Sequence, residues 1–88
     1  MNQVDALVHV RFFAAARDAA GCPAQEVPAG RSLADTVAAL GAIHSEEAFA
    51  HVIGQSTFLV DGLRRSLSDP APLPGGATLD VLPPFAGG

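Results

Sequence analysis

Ala6-Leu7-Val8-His9-Val10-Arg11-Phe12-Phe13 places Val8, Val10 and Phe12 on one parity and His9, Arg11 and Phe13 on the other. Side chains on a strand alternate between its two faces, so this stretch predicts a first β-strand with its even-numbered positions in the core. Phe13 is then an apolar residue on the polar face. Thr78-Leu79-Asp80-Val81-Leu82 predicts a last strand of the same kind, with Leu79 and Val81 on one parity and Asp80 and Leu82 on the other. If the two strands are neighbours, Phe13 and Leu82 meet on the exposed side of the sheet, with Leu63 and Phe85 nearby. An apolar patch there is a candidate docking surface.

Between these strands the punctuation suggests a mixed architecture. Ala14 to Ala20 reads as a short helix stopped by Gly21, and Gln25 to Pro28 as a short second strand. Ser32 with Asp35 resembles a capping box opening a helix whose apolar face is Leu33, Val37 and Leu40, with Gly41 marking its end. A second helical piece has Ser45 as its expected cap, Glu46 and Glu47 near the positive end of its dipole, and Gly54 as its stop. Thr57 to Asp61 alternates again with Phe58 and Val60 inward, and Asp61-Gly62 is a hairpin turn leading to a strand around Leu63 to Ser66. The breaker-rich loop from Asp69 to Gly76 follows, with Leu73 as a candidate core plug. This order predicts an α+β fold, a mixed sheet of four to five strands carrying helix on one face.

The chain has 88 residues, 49% of them hydrophobic and 16% charged, which excludes a disordered composition and limits it to one small core. A net charge of −4, with five arginines scattered at 11, 17, 31, 64 and 65 and no lysine, lacks the basic stripe of a nucleic-acid binder. The single cysteine, Cys22, rules out an internal disulfide framework and a cysteine-based zinc site and fits a reducing compartment. No apolar stretch approaches the roughly 20 residues that span a bilayer, and Met1 to Val10 lacks the basic start and long apolar run of a signal peptide. The expected location is the cytoplasm. His9, His44 and His51 show no zinc-ligand spacing, Cys22 has no evident activating partner, and Gly75-Gly76 is not part of a phosphate loop. No metal site and no independent catalytic centre is expected.

The chain therefore divides into a folded region, 1–82, and an extended tail, 83–88, reading Pro83-Pro84-Phe85-Ala86-Gly87-Gly88. The two prolines fix φ and hold the terminus away from the domain, and the glycines let the backbone enter a channel too narrow for side chains. A carboxylate on Gly88 is a poor electrophile and must be activated. Adenylation by a partner enzyme using ATP and Mg²⁺ would supply AMP as a leaving group. A persulfide attacking the adenylate leads to a C-terminal thiocarboxylate, and a lysine amine leads to an isopeptide. The residues alone leave carrier and modifier both open.

Two segments carry a family resemblance: Val10-Arg11-Phe12-Phe13-Ala14-Ala15-Ala16-Arg17-Asp18 and Leu82-Pro83-Pro84-Phe85-Ala86-Gly87-Gly88. With them the chain resembles the ubiquitin-like β-grasp sulfur carriers, in particular the small subunit of molybdopterin synthase. The resemblance implies that Gly88 is adenylated by an E1-like enzyme, becomes a thiocarboxylate with sulfur from a persulfide donor, and threads into the large synthase subunit within a heterotetramer. There it would give sulfur to a pterin precursor. It also implies that Phe13, Leu63 and Leu82 form the docking surface, Arg17 a polar contact, and Pro83, Pro84, Phe85, Ala86 and Gly87 the tail that enters the channel. No cofactor is expected on the chain itself. Phe85 departs from the valine usual in the family. The alternatives are a carrier for thiamine, cysteine or tRNA thiolation, a protein modifier, and a passive interaction module.

Overall fold

The computed structural model describes residues 6–84. Eight elements follow in order: β1 (Leu7–Phe12), α1 (Ala15–Ala20), β2 (Ala24–Pro28), α2 (Leu33–Ile43), α3 (Glu47–Gly54), β3 (Thr57–Val60), β4 (Leu63–Arg65) and β5 (Thr78–Leu82). The strands form one mixed sheet in the order β2-β1-β5-β3-β4. β1 and β5 run parallel, with Arg11 opposite Asp80 and Phe12 opposite Val81, and the other pairings are antiparallel. A five-stranded α+β fold with its helices on one face agrees with the expectation from the sequence.

The core explains that one-sidedness. Val8, Val10, Phe12, Phe58, Val60, Leu79 and Val81 from one parity of the strands are buried together with Ala16 of α1, Leu33 and Leu40 of α2, and Phe49 and Ile53 of α3. Leu73 is fully buried, as its isolation among prolines suggests. Its N–H donates to the Arg31 carbonyl and its carbonyl accepts from the Gly30 N–H, both at 2.8 Å, which stitches the long loop to the turn before α2. A plug without such bonds would leave buried backbone groups unpaired.

Local signals succeed where the backbone requires them. Gly21 ends α1 in the left-handed conformation, and Asp61-Gly62 turns β3 into β4 with positive φ at both residues, 49° and 84°. Ser32 caps α2 by accepting from the Asp35 N–H at 3.1 Å. Two expectations are corrected. Gly41 does not end α2, which continues to Ile43 with His44 as its C-cap. One interior glycine costs about 1 kcal/mol, less than the anchoring of this end by buried Leu40 and by His44 packed on the Phe49 and Phe12 rings. Ser45 does not cap α3 either; Glu46 holds that position and makes no side-chain cap bond.

Ala14, between β1 and α1, has φ 51° and ψ −125°, a conformation suited to glycine. Such a residue stores about 1–3 kcal/mol of strain. Ala14→Gly removes the Cβ conflict at the cost of a freer unfolded chain, for a net stabilisation of roughly 1 kcal/mol. The urea midpoint should rise with the slope unchanged; a lower midpoint would show that Ala14 is not strained.

Candidate functional site

The helices cover one face of the sheet and leave the other open. Pairing lines up Arg11, Asp80, Leu59 and Arg64 as a row across β1, β5, β3 and β4 on that open face. Below the row Leu82 pairs with Thr57, and Phe13 continues β1 alongside, its N–H donating to the Val81 carbonyl at 3.2 Å. Phe13 and Leu82 are therefore neighbours on the open face, as their parity predicts. Phe13 is 38% exposed, and Leu82 and Leu59 are half-buried.

Leu63 does not join them. It pairs with Val60, whose side chain belongs to the core-facing set, so it stands on the opposite parity, and at the free edge of the sheet it is 73% exposed. The reason is the two-residue turn, which fixes the register so that the first residue of β4 faces the last of β3. Leu59, which sequence parity alone would place on the polar side, is the apolar residue that sits in the open face instead.

Asp80 lies on the open face with Leu82, as its parity predicts, yet its side chain is only 11% exposed. Arg11 covers it with a bidentate contact, Nε donating to Oδ1 at 2.6 Å and Nη2 to Oδ2 at 2.8 Å. Without that partner Asp80 would be a charge held largely out of water, which is costly. Hydrogen bonding to Asp80, and then its charge, pushes the Arg11 pKa above its ordinary value. The Arg11 guanidinium carbon also lies 5.5 Å from the centroid of the Phe13 ring, within cation–π range. Opposite-charge residues in the first and last strands carried this signal, legible only once the β1–β5 register is known.

Arg17, on α1 just after Phe13, is exposed and forms no ion pair among the described residues, with Asp18 or otherwise. β5 ends at the same end of the sheet; there Pro83 is half-buried and Pro84 exposed. Phe85, Ala86, Gly87 and Gly88 lie outside the described residues. An open groove of about 530 Å³ flanks this end of the sheet, lined by residues that include Thr57, Phe58, Arg64, Arg65 and Leu67. The serines that border it are engaged locally, Ser56 donating to the Val52 carbonyl and Ser66 bonding Ser68.

The remaining candidates have structural roles. His44 bonds Gln25 and packs on two phenylalanines, while His51 lies on α3 and contacts Gln55, so the two do not share a helix face. Cys22 is half-buried against the core. Among the described residues no cluster of three or more histidine, cysteine, aspartate or glutamate side chains could hold a metal ion, and no helix is long and apolar enough to cross a membrane.

This is the ubiquitin-like β-grasp fold of the molybdopterin converting factor small subunits and the small archaeal modifier proteins. Among particular proteins, the chain is similar to a putative molybdopterin converting factor subunit 1 from Pyrococcus furiosus, at 26% identity and TM-score 0.72 over 90% of this chain and 98% of that one. It is also similar to the modifier SAMP1 from Haloferax volcanii, at 23% identity and TM-score 0.75 over 93% of this chain and 99% of that one. A complex of subunits 1 and 2 of molybdopterin-converting factor from Helicobacter pylori matches at 24% identity and TM-score 0.60, over 93% of this chain and 99% of that one. The likenesses below 25% identity establish the fold alone. No family model and no curated protein sequence matches the chain.

If Phe13 serves docking rather than packing, Phe13→Ala should lower stability by less than about 1 kcal/mol, whereas Leu79→Ala in the core should cost about 2–5 kcal/mol. Denaturant melts of the two variants check this; equal losses would make Phe13 a core residue.

Proposed function

We propose that the chain is a sulfur carrier that serves as the small subunit of molybdopterin synthase in the cytoplasm. An E1-like enzyme would use ATP and Mg²⁺ to join the Gly88 carboxylate to AMP, with pyrophosphate leaving. The terminal sulfur of a persulfide then attacks the acyl carbon and AMP leaves. A thiol cleaves the resulting acyl disulfide, supplying the two electrons, and the product is a thiocarboxylate on Gly88. Threaded into the large subunit, that sulfur would pass to a pterin precursor. ATP and Mg²⁺ belong to the activating enzyme, and this chain holds no cofactor of its own.

The observation that carries the reading is the junction of the open sheet face with the tail. β5 runs through the middle of the sheet and ends beside exposed Phe13, so a partner gripping Phe13 and Leu82 also receives Pro83 and Pro84 as the chain leaves the domain. Similarity to the Pyrococcus furiosus protein supports molybdopterin as the destination of the sulfur, and the Helicobacter pylori complex supports a large-subunit partner. In this arrangement Arg17 makes a polar contact at the rim, Leu63 is reached from the sheet edge, and Phe85, Ala86 and Gly87 follow the prolines into the channel. Similarity to SAMP1 favours one second reading, a modifier whose Gly88 forms isopeptide bonds.

Intact-mass measurement after incubation with host extract, ATP and a sulfur donor separates these. The carrier reading expects an oxygen-to-sulfur exchange located on Gly88 by fragmentation and absent without ATP. Fragmentation is needed because oxidation of Met1 adds nearly the same mass. An unmodified Gly88 together with conjugates that resist SDS and reductant would establish the modifier instead. No change in a competent extract would leave a passive module.

A further inference from the structure

The row Arg11, Asp80, Leu59, Arg64 carries more than the apolar patch that docking alone would require. Arg11 is an unusual surface arginine because two of its three nitrogens are committed to Asp80 and its plane lies near the Phe13 ring. Its side chain is nonetheless 55% exposed. The remaining nitrogen, Nη1, makes no hydrogen bond among the described residues. A guanidinium already held in place loses little freedom when it binds, whereas a mobile arginine must be ordered at that moment. On the far side of Leu59, Arg64 is exposed and forms no ion pair among the described residues. Two guanidinium groups thus stand on either side of Leu59, with Leu82 and Phe13 as an apolar row next to them, in a chain whose net charge is −4.

We propose that Arg11, clamped by Asp80, and Arg64 determine which partner this face accepts: a protein surface with an apolar centre and a carboxylate on each side, one facing Nη1 of Arg11 and the other Arg64. The inference rests on the large-subunit reading above and names the chemistry that the large subunit must present. Asp80 is a positioning residue in this arrangement. It touches no partner and acts by fixing the donor. Arginine is enriched among the residues that dominate interface binding energy once they are desolvated in the contact, and the electrostatic part of its contribution shows in the salt dependence of association.

The test is calorimetric titration of the full chain with the recombinant large subunit of molybdopterin synthase from the same organism, at low and high salt. Exchanging the pair, Arg11→Asp with Asp80→Arg, keeps an ion pair across β1 and β5 but moves the cation one strand over. Binding should weaken by roughly tenfold or more while the melting temperature stays near that of the natural chain. Arg11→Gln, melted alongside to confirm that it folds despite leaving Asp80 unpaired, should weaken binding similarly and flatten its salt dependence. Arg64→Gln should flatten it as well. Natural-like affinity and salt dependence in the exchanged pair, or in Arg11→Gln, would overturn the inference and leave the large-subunit reading standing. Failure of the natural chain to bind that subunit would overturn both.

Discussion

Parallel pairing of β1 with β5 is the contact on which the rest of the structure depends. It joins His9 to Phe12 with Thr78 to Val81, near the two ends of the sequence, and it occupies the centre of the sheet. Closing so long a loop costs conformational entropy that local turns cannot recover, so the pairing stands only because Val10, Phe12, Leu79 and Val81 are buried from it. The helices, carried in the segment between these strands, must then pack over that buried face. α2 and α3 do so through Leu33, Leu40, Phe49 and Ile53, and the loop after β4 adds Leu73.

One consequence is an open second face, and another is the place where the chain leaves the fold. Because β5 is central and parallel to β1, its last residue emerges beside Phe13 and the start of α1, away from either sheet edge. The strained backbone at Ala14 lies at that corner and turns the chain from Phe13 directly into α1. Phe13, Leu82 and the exit of the chain at Pro83 therefore share one end of one face. A partner that recognises the face receives the tail in a defined direction, and the Arg11–Asp80 clamp adds fixed donors to what would otherwise be a small apolar patch.

Much of this was legible in the residues because it rests on short-range rules. Alternation in β1 and β5 gave the core face and the neighbouring positions of Phe13 and Leu82, and Gly21, Ser32 and Asp61-Gly62 marked turns and caps correctly. The misses share a cause. Gly41 and Ser45 carry the local chemistry of a helix stop and a helix cap, yet packing of His44 against Phe12 and Phe49 decided where α2 ended. Leu63 was placed by its hydrophobicity, whereas the hairpin register put it on the opposite parity. The Arg11–Asp80 pair is not legible at all, because its partners lie 69 positions apart, a distance over which no periodicity carries information. Non-local register is the quantity that single-sequence patterns lack.

On the proposed reading, this small sheet presents Gly88 as a sulfur donor to a bound partner. The most direct measurement of that donation is transfer of radiolabelled sulfur from thiocarboxylated Gly88 in a reaction with the large synthase subunit and the precursor pterin. The label should leave the protein and appear in the pterin only when the large subunit is present. Label that stays on the chain while the large subunit is bound, or reaches the pterin equally well without it, would rule out sulfur donation through that subunit.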